Sequence, residues 1–164
     1  MLEPNKPIII SNFLTEKIIY EIKQHQTNDK KPHNDDITYR HSISIKNIDL
    51  IEDIKKIVIG NIPEIKDDYD FDIRYTIVTN SSYLKWHDDH YFNYAITVYL
   101  NNTWNMDWFG FFIFKDNDSN FYKAYLPQYN TALIFKPPMI HCVVPPNIGS
   151  PKRETLQIFI KKSN

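Results

Sequence analysis

Asn93-Tyr94-Ala95-Ile96-Thr97-Val98-Tyr99-Leu100-Asn101 alternates two kinds of side chain, and that alternation decides the fold class. Residues two apart on a strand share a face. Tyr94, Ile96, Val98 and Leu100 therefore make one apolar face, while Asn93, Ala95, Thr97 and Tyr99 make another, whose small members leave room for a ligand beside the Tyr99 hydroxyl. Short β-rich runs recur on either side, at 71–79, 94–100, 110–114, 121–125, 131–135, 142–144 and 155–160, with turn residues between them. Upstream of residue 70 the spacing changes. Leu14, Ile18, Ile19 and Ile22 predict an amphipathic helix reaching about Gln26, capped by Thr15 or Ser11. Leu50, Ile51, Ile54, Ile57 and Val58 predict a second helix ending near Gly60, with Pro63 as the stop. Residues 8–10 and 39–45 read as strands, and the polar stretch 27–36 as a loop or lid. Helices followed by many antiparallel-looking strands predict a mainly β fold with flanking helices, a sandwich or jelly roll whose N-terminal helices pack on one sheet. Helical support is expected over 11–62 and the β core over about 71–162, within one domain spanning 1–164.

Composition agrees with a single core: the chain has 164 residues, of which 42% are hydrophobic and 15% aromatic. The formal net charge of -1, with no basic stripe, gives no electrostatic reason to expect nucleic acid or a membrane surface as partner. Residues 1–10 lack the apolar core of a secretory signal, and no window is long and apolar enough to span a bilayer. Cys142 is the only cysteine, which rules out an intrachain disulfide and fits a reducing, cytoplasmic setting.

The chemistry centres on Trp86-His87-Asp88-Asp89-His90. In a strand or at its end, His87 and Asp89 share a side while Asp88 faces away, so Asp89 is the better ligand. His141 enters the strand of Cys142-Val143-Val144 and supplies a third donor from elsewhere. Two imidazoles and one carboxylate on one face of a ferrous ion leave its opposite positions open for oxygen chemistry. The other His-x-Asp reading is a chance tripeptide, and what weighs against it is Arg153. Parity along Arg153-Glu154-Thr155-Leu156-Gln157-Ile158-Phe159-Ile160 separates Arg153, Thr155 and Gln157 from Leu156, Ile158 and Ile160. If the aliphatic set faces the helices, the guanidinium points into the sandwich, where it needs an anionic partner. The alternative is an exposed arginine at the start of a terminal strand. His90 is expected to be exposed after a tight turn, and His25, His33 and His41 show no ligand spacing.

Taken in order, Phe13-Leu14, His87-x-Asp89, Ile96-Thr97-Val98-Tyr99-Leu100-Asn101, Trp108-Phe109-Gly110-Phe111-Phe112, Pro127, Asn130-Thr131-Ala132-Leu133-Ile134-Phe135, His141 and Arg153-x-Thr155 resemble the iron(II)/2-oxoglutarate-dependent dioxygenases of the prolyl 4-hydroxylase-like group. The resemblance implies a double-stranded β-helix. It also implies His87, Asp89 and His141 as iron ligands, and Arg153 as partner of the distal carboxylate of 2-oxoglutarate, assisted by Thr155 and Tyr99. The implied reaction consumes 2-oxoglutarate and dioxygen, with ascorbate left open as an addition. It hydroxylates a C-H bond of a protein, peptide or amino-acid-like substrate and releases succinate and carbon dioxide.

The chain departs from the group in three places. Its Gly-Gly-x-Leu segment reads Phe109-Gly110-Phe111-Phe112, which makes the pocket wall bulkier. The stretch from His141 to Arg153 is longer than usual and carries Pro145, Pro146 and Pro151, predicting a rigid loop near the site. Lys152 stands beside Arg153 as a rival anchor. Asp89, by contrast, is intact, against a halogenase-like variant. A second arginine, six residues after Arg153, is replaced by Phe159, against nucleic-acid demethylation. The competing class is a non-catalytic metal-binding jelly-roll module.

Overall fold

The computed structural model describes residues 2, 6–24, 32–35, 38–116 and 121–163. The strands are β1 (Ile8–Ser11), β2 (Pro32–Asp35), β3 (Thr38–Ser44), β4 (Tyr69–Val78), β5 (Leu84–His87), β6 (Tyr94–Tyr99), β7 (Phe112–Lys115), β8 (Tyr122–Tyr125), β9 (Thr131–Phe135), β10 (His141–Val143) and β11 (Arg153–Lys162), with helices α1 (Glu16–Gln24) and α2 (Ile48–Asn61). Hydrogen bonding runs in the order β1-β9-β6-β11-β4-β3 and passes through one pairing, Thr38 with Leu84, to β5-β10-β7-β8. All the pairings are antiparallel. The ribbon folds over at that single pairing, so its two halves face one another as a jelly roll. This is the double-stranded β-helix expected from the sequence.

Two apolar layers result. Ile18, Ile19 and Ile22 of α1 and Leu50, Ile54 and Val58 of α2 bury against Ile96, Val98, Leu156, Ile158 and Ile160 on the outside of the larger sheet. Burial of each such side chain contributes roughly 1.5–3 kcal/mol. Between the sheets, Val78, Ala95, Tyr99, Leu133 and Phe135 meet Leu84, Phe112, Phe114 and Val143. The parity read from β6 and β11 therefore holds in space. The first helix starts as expected, with Thr15 Oγ1 accepting from the Ile18 N–H at 3.3 Å, and the second is capped by Asn47, whose Oδ1 accepts from the Leu50 N–H at 3.1 Å. α2 ends at Asn61, beside Gly60 as expected, and Ile62 closes the helix through its N–H to the Val58 carbonyl.

Two strands were not anticipated. β5 is four residues long with a bulge against β10, too short for an alternation to show. Pro32–Asp35, placed in the expected 27–36 loop, pairs with β3 as β2, because backbone pairing at a sheet margin needs no apolar side chains. The remainder of that loop, 27–31 and 36, lies outside the described residues, as does His25. Asn130 ties the helical layer to the sheet. Its side chain accepts from the Leu14 N–H at 2.8 Å and donates to the Leu14 carbonyl at 2.7 Å, while its own N–H reaches the Tyr99 carbonyl at 2.8 Å.

Candidate active site

His141 and His87 are directly opposite one another across the β10–β5 pairing, so the sheet itself sets the two imidazoles side by side with ring centroids 4.1 Å apart. β5 ends at His87. The chain then turns, and Asp89 takes a left-handed conformation with φ +54° that swings its carboxylate back toward both rings. One carboxylate oxygen lies 3.6 Å from His87 Nε2 and the other 3.5 Å from His141 Nε2. The ligand atoms of the three residues all lie within 4.8 Å of one another. Asp89 is thus the converging carboxylate that strand parity selected, but a turn, not strand geometry, brings it in. Aspartate is among the few residues that enter this backbone region readily.

The two rings are oriented from behind. His87 Nδ1 lies 2.6 Å from the Lys85 carbonyl, and His141 Nδ1 lies 2.7 Å from the Met139 carbonyl. A carbonyl only accepts, so each neutral ring carries its proton on Nδ1 and presents the Nε2 lone pair to the common centre. Phe112 stacks on His141 with centroids 4.8 Å apart, and Phe135 meets its edge at 5.0 Å. The site is recessed without being sealed: side-chain exposure is 18% for His87, 15% for Asp89 and 4% for His141. Asp88 points outward to His90 Nδ1 at 2.6 Å, and this hydrogen bond holds its carboxyl below the usual carboxylate range.

Deeper in the same interior is Arg153, 1% exposed. Its Nε and Nη2 have no hydrogen-bond partner, nor does the buried Tyr99 hydroxyl, over whose ring the guanidinium sits at 5.0 Å. Burial lowers the Arg153 pKa and raises that of Tyr99, the guanidinium working the other way on the tyrosine. A buried cation with unsatisfied donors is costly and calls for an anion. Lys152 is exposed, so it does not compete for that position.

Solved structures of the same shape are known. No protein-family model and no curated protein sequence matches the chain. In three dimensions it superposes on a prolyl-4-hydroxylase of Pseudomonas putida with a TM-score of 0.76 at 13% identity, over 96% of this chain and 93% of that one. It superposes on a Trichoplax adhaerens prolyl hydroxylase in complex with a hypoxia-inducible-factor peptide fragment at TM-score 0.77 and 17% identity, covering 96% and 84%. The viral collagen prolyl hydroxylase of Paramecium Bursaria Chlorella virus-1, in its 2-oxoglutarate complex, gives 0.69 at 15% identity over 94% of each chain. The fold is that of the prolyl hydroxylases.

Within this prolyl-hydroxylase fold the inward side of β11 beyond Arg153 is polar. Thr155 Oγ1 accepts from Gln157 Nε2 at 3.2 Å and reaches the Thr76 carbonyl at 3.5 Å, and Gln157 Oε1 accepts from Thr97 Oγ1 at 3.0 Å. Further out, Phe159 stacks on Phe92 at 4.7 Å, and the Arg74 guanidinium, paired to Asp72, lies over the Phe159 ring at 5.5 Å. His90 and Tyr91 are exposed, as expected of a turn, and Trp86 lies against Tyr122 on the surface. The proline-bearing loop lies near the site, on its Arg153 side. It packs on residues 108–111, with the Asn147 N–H on the Trp108 carbonyl at 2.9 Å and Pro146 bridged to Phe109, at the Arg153 end.

Asn101, to which sequence reasoning gave no role of its own, braces the backbone around Arg153. Asn101 accepts from the Glu154 N–H at 2.7 Å and donates to the Lys152 carbonyl at 2.8 Å, fixing the backbone on both sides of the arginine. Trp104 donates from Nε1 to the Phe109 carbonyl at 2.9 Å. Phe109 takes φ +56° and ψ -126°, a conformation natural to glycine and costing of order 1–3 kcal/mol elsewhere. In the resemblance read from the sequence, this is the position where the group carries its first glycine.

Proposed function

We propose that the protein is an iron(II)- and 2-oxoglutarate-dependent dioxygenase that hydroxylates a C-H bond. The observation that carries this reading is the Arg153 guanidinium, buried and short of partners, in the same interior as a His-Asp-His cluster. A metal cluster alone would serve a binding module. A metal cluster with an anion pocket behind it suits a co-substrate that chelates at one end and carries a carboxylate at the other.

The residues fit these groups. His87, Asp89 and His141 offer two neutral nitrogens and one carboxylate, the donor set suited to a ferrous ion with open positions. Arg153 pairs with the distal carboxylate of 2-oxoglutarate, and the Tyr99 hydroxyl, also without a partner, adds a hydrogen bond. Thr155 assists from the adjacent pleat, its hydroxyl steered by Gln157. When bound, iron with 2-oxoglutarate and dioxygen supplies the oxidising power, with succinate and carbon dioxide as co-products. The protein's own share is to fix the two imidazoles through Lys85 and Met139, turn Asp89 inward, and cover His141 with Phe112 and Phe135.

The substrate is a protein, peptide or amino-acid-like molecule; the support is the likeness to prolyl hydroxylases, one of them solved with a peptide fragment. The whole of 1–164 is read as one oxygenase domain. No helix among the described residues is long and apolar enough to cross a membrane, and the single, half-buried cysteine suits the cytoplasm. Anaerobic addition of Fe(II) and 2-oxoglutarate should produce a weak visible charge-transfer band, and a folded, iron-loaded protein without that band would end the assignment. A band with no succinate formed across a peptide panel would favour the non-catalytic module.

A further inference from the structure

We infer that Trp104 is a positioning residue for Arg153 that sets the depth of the anion pocket and so selects the five-carbon 2-oxo diacid over its six-carbon homologue. This rests on the reading of Arg153 as the carboxylate anchor. The argument starts at Gly110, with φ +71° and no side chain. A methyl group added there would lie 2.8 Å from Trp104 Cζ2 and 3.4 Å from Arg153 Cδ. The missing side chain is therefore what lets the indole and the arginine stem both close on this backbone. On its other side the guanidinium rests over the Tyr99 ring at 5.0 Å.

An arginine stem has several rotatable bonds, and with Nε and Nη2 both unpartnered the guanidinium has little hydrogen bonding to fix its depth. Depth is then set by packing. Trp104 is half-buried, with its Nε1 anchored on the Phe109 carbonyl and its ring crossed edge-on by Trp108 at 5.6 Å. Phe109 is in turn held by its N–H to the Met106 carbonyl at 3.1 Å and by its bridge to Pro146. The indole is thus a fixed rear wall. Without it the stem can withdraw toward solvent, lengthening the pocket and admitting one more methylene.

The test titrates the iron(II)-loaded protein anaerobically with oxaloacetate, 2-oxoglutarate and 2-oxoadipate, following the visible band. Wild type should favour 2-oxoglutarate over 2-oxoadipate by at least about tenfold, the usual discrimination for one methylene. Trp104→Leu should shrink that ratio to near one while iron affinity is retained. Trp104→Phe, which loses both the Cζ2 contact and the Nε1 donor, should fall between, and it decides the matter if the leucine variant does not fold. A wild-type ratio in folded Trp104→Leu, or failing that in Trp104→Phe, overturns the inference and leaves the anchor intact. Affinity for 2-oxoglutarate unchanged in Arg153→Ala overturns the anchor itself, and this inference with it.

Discussion

The two faces of β11 put the same strand to opposite uses. Outward, Leu156, Ile158 and Ile160 meet only apolar neighbours from the helices and adjacent strands, and every one of them is buried. Inward, Arg153, Thr155 and Gln157 line an interior in which a guanidinium and a tyrosine hydroxyl lack partners. The first face gains stability by excluding water; the second gives some of it up by holding polar groups in a dry place. Because side chains alternate strictly, the two roles are separated by one residue along the chain. Substitutions on one face should therefore move folding and leave ligand binding, and those on the other should do the reverse.

The largest effect should come from the inner side of the sandwich. His87→Ala removes one of three donors and should abolish the iron-dependent 2-oxoglutarate band, with the thermal midpoint of the apoprotein close to wild type. A band of wild-type strength would place the metal elsewhere. Next comes the outer face: Ile158→Ala leaves a cavity under α1 and α2 and should cost about 2–5 kcal/mol in urea unfolding, with co-substrate affinity retained in the folded fraction. Loss of binding without loss of stability would break the comparison. Arg153→Leu follows. Because Nε and Nη2 of the guanidinium are unpartnered in the protein, the variant should lose roughly 3 kcal/mol of co-substrate affinity, about a hundredfold, yet unfold at the same or higher urea concentration. Calorimetry and a urea curve on one preparation check both halves.

How far the sequence could be read follows from the range of the interactions. β6 and β11 were legible because each alternates over six or more residues and each is paired on both sides, which leaves parity no freedom to slip. Arg153 was legible for the same reason, and Tyr99 with it. β5 was not, since four residues with a bulge carry no pattern, although it supplies His87. The approach of Trp104 and Arg153 to the same Gly110 backbone was not legible, because it brings a loop and the end of a distant strand together at a residue without a side chain. The proline-bearing loop was legible as lying near the site but not in its partners, since nothing local says that it will pack on Phe109 and Trp108.

The smallest effect should separate two neighbouring carboxylates. Asp88 and Asp89 have the same side chain and sit on one turn, yet Asp89 faces both imidazoles while Asp88, 41% exposed, is hydrogen-bonded to His90 on the surface. Asp89→Ala removes the only carboxylate among the three clustered ligand residues and also places an alanine at φ +54°, a conformation it adopts reluctantly. Asp88→Ala removes a surface hydrogen bond worth about 0.5 kcal/mol or less. It should leave iron and 2-oxoglutarate affinity within roughly twofold of wild type, a change of about 0.4 kcal/mol or less. Asp89→Asn keeps a residue that tolerates the backbone and changes only the charge, so it isolates the ligand role from the turn. If Asp89→Asn binds iron as well as Asp88→Ala does, the turn and not the carboxylate is what the site requires at this position.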